Sequence, residues 1–385
     1  MLIAVLVILI IATILLVLLI KSPTKTIIPS NLDNIPALRW NSTGITVAGI
    51  SGSPGSANNQ LNTPHDIFLD YANNLYIADR ENHRIQKYLF GSSIGQRVAG
   101  NVTVGSSSDK LRFPSRVLLD SNEDLYIADT FNHRIQFWRK GDNFGTTVAG
   151  TGKKNKQNKV IFPSYNSLSL GSAGNSSNEL DNPYGIVLHP TSNTFYIADS
   201  FNNRIMSYIL GNNSGTLVFG FNGGGNNNTQ LYRPVGLHFD ILTNSLVITN
   251  HAAHKIVRYV LGSSLSTLIV GGAYGTTPAQ FANPTEATFD PMGNLYVSDK
   301  SNHRIQFFYA GQLNGTTIAG ITSVNGTNST TLALPNSLRL DSQLNLYVAD
   351  TYNHRIQKFL RGSLQKFQDF SKFGTAYCSY DVLCL

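Results

Sequence analysis

The chain has 385 residues, of which 13% are charged, and it carries a net charge of +7. That charged fraction is well below the roughly 25% of an average soluble domain, so the surface is polar but mostly uncharged. Only two cysteines occur, Cys378 and Cys384, and both lie in the last eight residues. A disulfide framework therefore does not hold the fold together, and this pair is expected to close one small loop of the tail.

Residues 2 to 20 read LIAVLVILIIATILLVLLI, with Thr13 the one polar side chain. As a helix, such a stretch spans roughly the 30 Å hydrocarbon core of a bilayer. A cleaved signal peptide has a shorter apolar run, a basic start and small residues before the cut, so the expectation is one transmembrane signal anchor over 1–21, followed by a linker over 22–43. Lys21 and Lys25 after the helix favour a cytoplasmic main domain. Against them stand N-x-S/T sequons at Asn41, Asn101, Asn175, Asn212, Asn227, Asn314, Asn325 and Asn328, glycan acceptors if the domain is lumenal. Large domains translocate largely regardless of charge, so the expectation is a single-pass membrane protein with its main domain extracellular or lumenal.

From residue 44 to 362 the chain repeats itself. LYIADRENHRIQ at 75–86 returns as LYIADTFNHRIQ at 125–136, FYIADSFNNRIM at 195–206, LVITNHAAHKIV at 246–257, LYVSDKSNHRIQ at 295–306 and LYVADTYNHRIQ at 346–357. The spacing is about fifty residues except before the third copy, where an insertion over about 151–178 carries Lys153, Lys154, Lys156 and Lys159. A proline-led strand precedes each copy, and a Gly-bounded β segment follows the first five. Each unit is a four-stranded meander that cannot bury its own faces, so six units imply an all-β, six-bladed β-propeller. GITVAG at 44–49 is a fourth strand without a unit of its own, while the sixth unit lacks one; the N-terminal strand is expected to close the last blade. Residues 363–385 form a tail in which Phe367, Phe370, Phe373, Tyr377 and Tyr380 recur every three to four residues.

The Y-[IV]-A-D-x-x-N-H-R-I-Q signature resembles the NHL repeat family. The resemblance implies a six-bladed propeller used for protein or nucleic-acid binding, with a related propeller serving as the peptide-amidating lyase. The signature itself reads as structural. Asp79 is expected to accept backbone N–H groups and pair with Arg84, Asn82 to take the left-handed turn position, and His83, His133, His254, His303 and His354 to be hydrogen-bonded turn histidines. In the fourth unit Asp and Arg change together, to Asn250 and Lys255, as a pair would.

The channel mouth is the usual ligand site of a propeller, and the residues after each proline are its lining: His65, Asp66, Arg116, Tyr184 and Glu286 are the binding candidates. The lyase needs several zinc-holding histidines there; only His65 fits, so no metal, no cofactor and no catalytic residue is assigned. Calcium between Asp66 and Glu286, as in lactonase-like propellers, is opposed by Arg116 beside them. The expectation is a membrane-tethered, non-enzymatic module for a protein, peptide or glycan, its specificity carried by the lysine-rich insertion. A channel-mouth lyase or hydrolase is the rival, and RNA binding of the tripartite-motif kind the third reading. Scattered basic residues disfavour nucleic acid, and the sequence does not determine an oligomeric state.

Overall fold

The structure, a computed structural model, describes residues 39–101, 103–151, 174–212 and 214–362. The expected anchor, the four insertion lysines, the aromatic tail and both cysteines lie outside the described residues. Among the described residues, no helix is long and apolar enough to cross a membrane.

The strands run β1 (Ile45–Gly49), β2 (Pro64–Leu69), β3 (Leu75–Asp79), β4 (Arg84–Tyr88), β5 (Gly95–Ala99), β6 (Arg116–Leu119), β7 (Leu125–Asp129), β8 (Arg134–Trp138), β9 (Thr146–Ala149), β10 (Pro183–Leu188), β11 (Thr194–Asp199) and β12 (Arg204–Ile209). They continue with β13 (Thr216–Phe219), β14 (Pro234–Asp240), β15 (Ser245–Asn250), β16 (Lys255–Val260), β17 (Thr267–Gly271), β18 (Glu286–Phe289), β19 (Leu295–Asp299), β20 (Arg304–Phe308), β21 (Thr316–Gly320), β22 (Ser337–Leu340), β23 (Leu346–Asp350) and β24 (Arg355–Phe359). Five consecutive groups of four, starting at β2, form antiparallel meander blades, and the sixth sheet has the order β1-β24-β23-β22. The N-terminal strand thus closes the last blade, with Ile45 opposite Lys358 and Gly49 opposite Arg355. Gly49 sits at φ +79°, and a Cβ there would meet the His354 carbonyl oxygen at 2.3 Å, so only glycine lets the closing strand come this near.

The second strand of each blade is apolar on both faces because each face meets a different neighbouring blade. All five residues of β3, β7, β19 and β23 are buried. Ile85, Ile135, Ile205, Ile256, Ile305 and Ile356 are fully buried in the third strands. The outermost strands, such as β5 and β9, keep most side chains partly or fully in solvent.

Every blade turns from its second to its third strand through one turn of 3-10 helix. In the first blade, Asp79 Oδ2 accepts Arg84 Nε at 2.7 Å and Asn82 Nδ2 at 2.8 Å, while Oδ1 accepts the Asn62 N–H at 2.7 Å. The N–H comes from the loop entering the blade, not from the turn. Arg84 also donates to the carbonyls of Ser56, Ala57 and Gln60, so the Asp–Arg pair stitches that loop down. The left-handed residue is His83 at φ 55°, which corrects the expectation for Asn82: the asparagine amide is needed by Asp79 and the Gly55 carbonyl. In the fourth blade, Asn250 still accepts the Tyr232 N–H, but Lys255 turns to the Asn226 carbonyl, and the ion pair is gone with both partners.

The turn histidines join blade to blade. Nδ1 of His83, His133, His254, His303 and His354 accepts the N–H of Phe113, Asn182, Asn283, Leu334 and Thr63 respectively, at 3.1–3.2 Å. Asn203 does the same in the third blade through Oδ1, to Arg233 N–H at 2.8 Å.

Candidate functional site

Six first strands line the channel, and their alternation points every second residue inward. At the waist, Arg116 holds Glu286 with both terminal nitrogens, Nη2 to Oε1 at 3.0 Å, and approaches Asp66 Oδ1 at 3.5 Å. Arg339, two positions beyond Ser337 on β22, reaches the same two carboxylates, Glu286 at 3.3 Å and Asp66 at 3.6 Å. Asp66 is further taken up by the Ser337 hydroxyl at 2.6 Å and the Val117 N–H at 3.0 Å. Two guanidinium groups and two carboxylates therefore neutralise one another across the channel. Calcium between Asp66 and Glu286 does not fit, because Arg116 and Arg339 stand where the cation would be, and carboxylate oxygens it would use are already accepting. Among the described residues no cluster of three metal-ligating side chains occurs.

Above the waist, on the face that carries the 3-10 turns, a second set bridges the mouth. Tyr184 from the third blade reaches across to His65 of the first, Oη to Nδ1 2.8 Å. The His65 carbonyl accepts Asn336 Nδ2 of the sixth blade at 2.9 Å, and Asn336 Oδ1 accepts Lys300 Nζ of the fifth at 3.2 Å. Burial, helped by Arg80 and Lys300, pushes His65 well below the usual histidine range, so its ring is neutral. Arg80 packs over Phe113 and Phe131, 4.9 and 5.4 Å from the ring centroids, and pairs with Glu81 at 2.9 Å.

The five candidates drawn from the sequence thus divide into two layers. His65 and Tyr184 belong to the mouth; Asp66, Arg116 and Glu286 form the waist. Arg339, Arg80 and Lys300 were not among them. The signal for Arg339 was the period of two along β22, which puts the fourth residue after the proline in line with the second. For Arg80 and Lys300 it was their place directly after the aligned Asp, where other blades have Thr130, Ser200, His251 and Thr351. Of the sequons, Asn101 is half-buried with its amide on Asp109 at 2.7 Å, whereas the other seven asparagines are exposed.

The NHL repeat family model matches residues 61–88, 281–308 and 332–359, the inner three strands of the first, fifth and sixth blades. Over 116 residues the chain is 33% identical to NHL repeat-containing protein 3 of Homo sapiens, and the match covers 28% of this chain and 31% of that protein. The protein of the same name from Mus musculus is 31% identical over 112 residues, with the same coverage. The chain thus matches less than a third of the length of these curated relatives. Among solved structures, an auxiliary nutrient binding protein from Bacteroides thetaiotaomicron superposes with a TM-score of 0.59 at 15% identity, covering 85% of this chain and 78% of that one. A gluconolactonase from Xanthomonas campestris gives 0.55 at 11% identity, covering 86% and 99%. At such identities the likeness is one of fold, and this fold hosts binding proteins and enzymes alike. The chain thus carries NHL repeats, matched in three of its blades, within a β-propeller of six four-stranded blades.

Proposed function

We propose that this protein is a membrane-tethered binding module whose propeller takes a protein, peptide or glycan ligand at the channel mouth on the turn face. One observation carries the reading: Lys300, Asn336, His65 and Tyr184 converge there from four different blades. Beneath them, the waist carboxylates are engaged by guanidinium groups, which leaves neither poised as a base or as a cation ligand. This favours recognition over lactonase-like chemistry.

Two further features fit the same reading. The described chain begins on the opposite face, where Trp40 Nε1 donates to the Leu344 carbonyl at 2.9 Å. The lysine-rich insertion is attached on the turn face, since Gly150 abuts the His133 carbonyl and Gly174 accepts Asn202 Nδ2. Its four lysines are proposed as a second contact region for the ligand.

The test is full-length protein displayed on cells and probed with peptide and glycan arrays. Binding that is lost in Tyr184→Ala and His65→Ala, and kept in Phe144→Ser on the opposite face, supports the reading. Turnover of a lactone or ester panel that depends on His65, without stable binding, would overturn it.

A further inference from the structure

Lys300 occupies the first position of the 3-10 turn in the fifth blade. In three other blades the residue at that position joins its blade to the next, since Thr130, His251 and Thr351 donate to the carbonyls of Pro183, Pro284 and Pro64, at 2.9, 3.0 and 2.8 Å, at the neighbouring first strand. In the fifth blade the matching carbonyl, that of Pro335, is served by Ser298 Oγ instead, at 2.8 Å. Lys300 is therefore not needed by that carbonyl. Its ammonium makes one hydrogen bond among the described residues, to Asn336 Oδ1, and no ion pair. An ammonium has three protons to donate, and a desolvated charge without a counter-ion is costly.

Among the described residues, none supplies that counter-ion. Arg80 and the rings of His65 and His251 lie within its electrostatic reach; burial lowers both histidines first, and the Lys300 charge adds to it. Glu81 is spent on Arg80, and Asp66 lies below, paired with Arg116 and Arg339. Burial, with Arg80 adding to it, lowers the Lys300 ammonium to about 8, which leaves it mostly charged at neutral pH. Two further polar atoms of this region, Arg80 Nε and Thr285 Oγ1, are buried with no partner. The insertion cannot neutralise the mouth, because residues 152–173 contain four lysines and no acidic residue.

Building on the binding role proposed above, we infer that the mouth is an anion site, and that the ligand presents a carboxylate to Lys300. The uncompensated charge is close to one, since Arg80 is already matched by Glu81. A monoanionic carboxylate, as on an acidic peptide side chain, a chain terminus or a uronic or sialic sugar, meets that charge. The unpartnered donors at Arg80 and Thr285 suit its oxygens. A dianionic phosphate would bring more charge than the mouth matches.

The experiment uses the full-length chain in detergent, with acetate, acetamide and inorganic phosphate as probes and sodium chloride as the ionic-strength control. Affinity is read from the shift in thermal midpoint and from the Lys300 ammonium resonance. Acetate is expected to stabilise the protein saturably and to raise the Lys300 pKa, whereas acetamide does neither. Lys300→Met should weaken acetate by about tenfold or more, and Lys300→Arg should retain it; the charge-conserving variant separates recognition from a merely structural role. Lys140→Ala, on an exposed lysine of the opposite face, should change nothing. Equal acetate affinity in wild type and Lys300→Met would overturn the inference, as would tighter binding of phosphate than of acetate. A neutral glycan bound at the mouth with Tyr184 dependence, without any acetate effect, would refute the carboxylate while leaving the binding module intact.

Discussion

His354 Nδ1 accepts the backbone N–H of Thr63 at 3.1 Å, so the last turn of the repeat array is joined to the residue that leads into the first strand of the first blade, across 291 residues of sequence. The same bond recurs at four other seams through histidine and at one through Asn203. Each requires the ring to be neutral on Nδ1, and burial, with Arg80 and Arg112 adding to it, lowers His83 to about 4; burial alone lowers His254, His303 and His354.

The histidines make the propeller acid-sensitive. The folded pKa of His83, His254, His303 and His354 lies below the unfolded value near 6.5, so the stability they contribute is complete above pH 6.5 and is lost as pH falls through the folded values, for His83 about 4. Urea unfolding at pH 7, 5.5 and 4 should show the loss. His83→Asn, the solution that the third blade uses, should flatten the dependence, because an amide oxygen accepts without titrating. An unchanged pH slope in that variant would contradict the assignment.

The Asp–Arg pair of each turn should be non-additive. Asp129→Asn alone leaves the buried Arg134 guanidinium without its counter-charge and should cost about 3–5 kcal/mol. Asp129→Asn with Arg134→Lys copies the fourth blade and should cost markedly less than the sum of the single changes. A double-mutant cycle by denaturant unfolding measures the coupling.

At the waist, Glu286→Leu strands two guanidinium groups and should destabilise by a similar amount, about 3–5 kcal/mol. Adding Arg116→Met should recover part of that loss. Calcium titration of the wild type should leave the thermal midpoint unchanged, because Arg116 and Arg339 occupy the space between the carboxylates.

Removing residues 44–49 deletes β1, uncovers β24 and takes away the wall that buries Leu61 and Ile356. Circular dichroism and limited proteolysis should find the whole propeller lost rather than one blade, since an open ring exposes apolar faces on both sides of the gap.

Deleting 153–172, in contrast, should leave a folded propeller, because the third unit then matches its neighbours in length. The variant should lose salt-sensitive affinity for acidic ligands at the mouth. Retention of that affinity would confine recognition to Lys300, Arg80 and their neighbours.

Six near-copies of one twelve-residue segment were enough to determine the propeller, its blade count and the strand that closes it. A repeat that cannot bury its own faces has few ways to pack, and an orphan fourth strand matches a blade lacking one. The buried isoleucines and the Asp79–Arg84 pairing were legible for the same reason: a position that recurs in every blade has one environment. What recurs could be read; what differs between blades could not. Arg339 joined Arg116, Glu286 and Asp66, and Lys300 came to share a hydrogen-bonded chain with Asn336, His65 and Tyr184, because closing the ring brings into contact residues as far apart as His65 and Asn336, 271 positions along the chain. Each of those side chains breaks the repeat in its own blade, and only the tertiary structure decided which of the exceptions face one another across the channel.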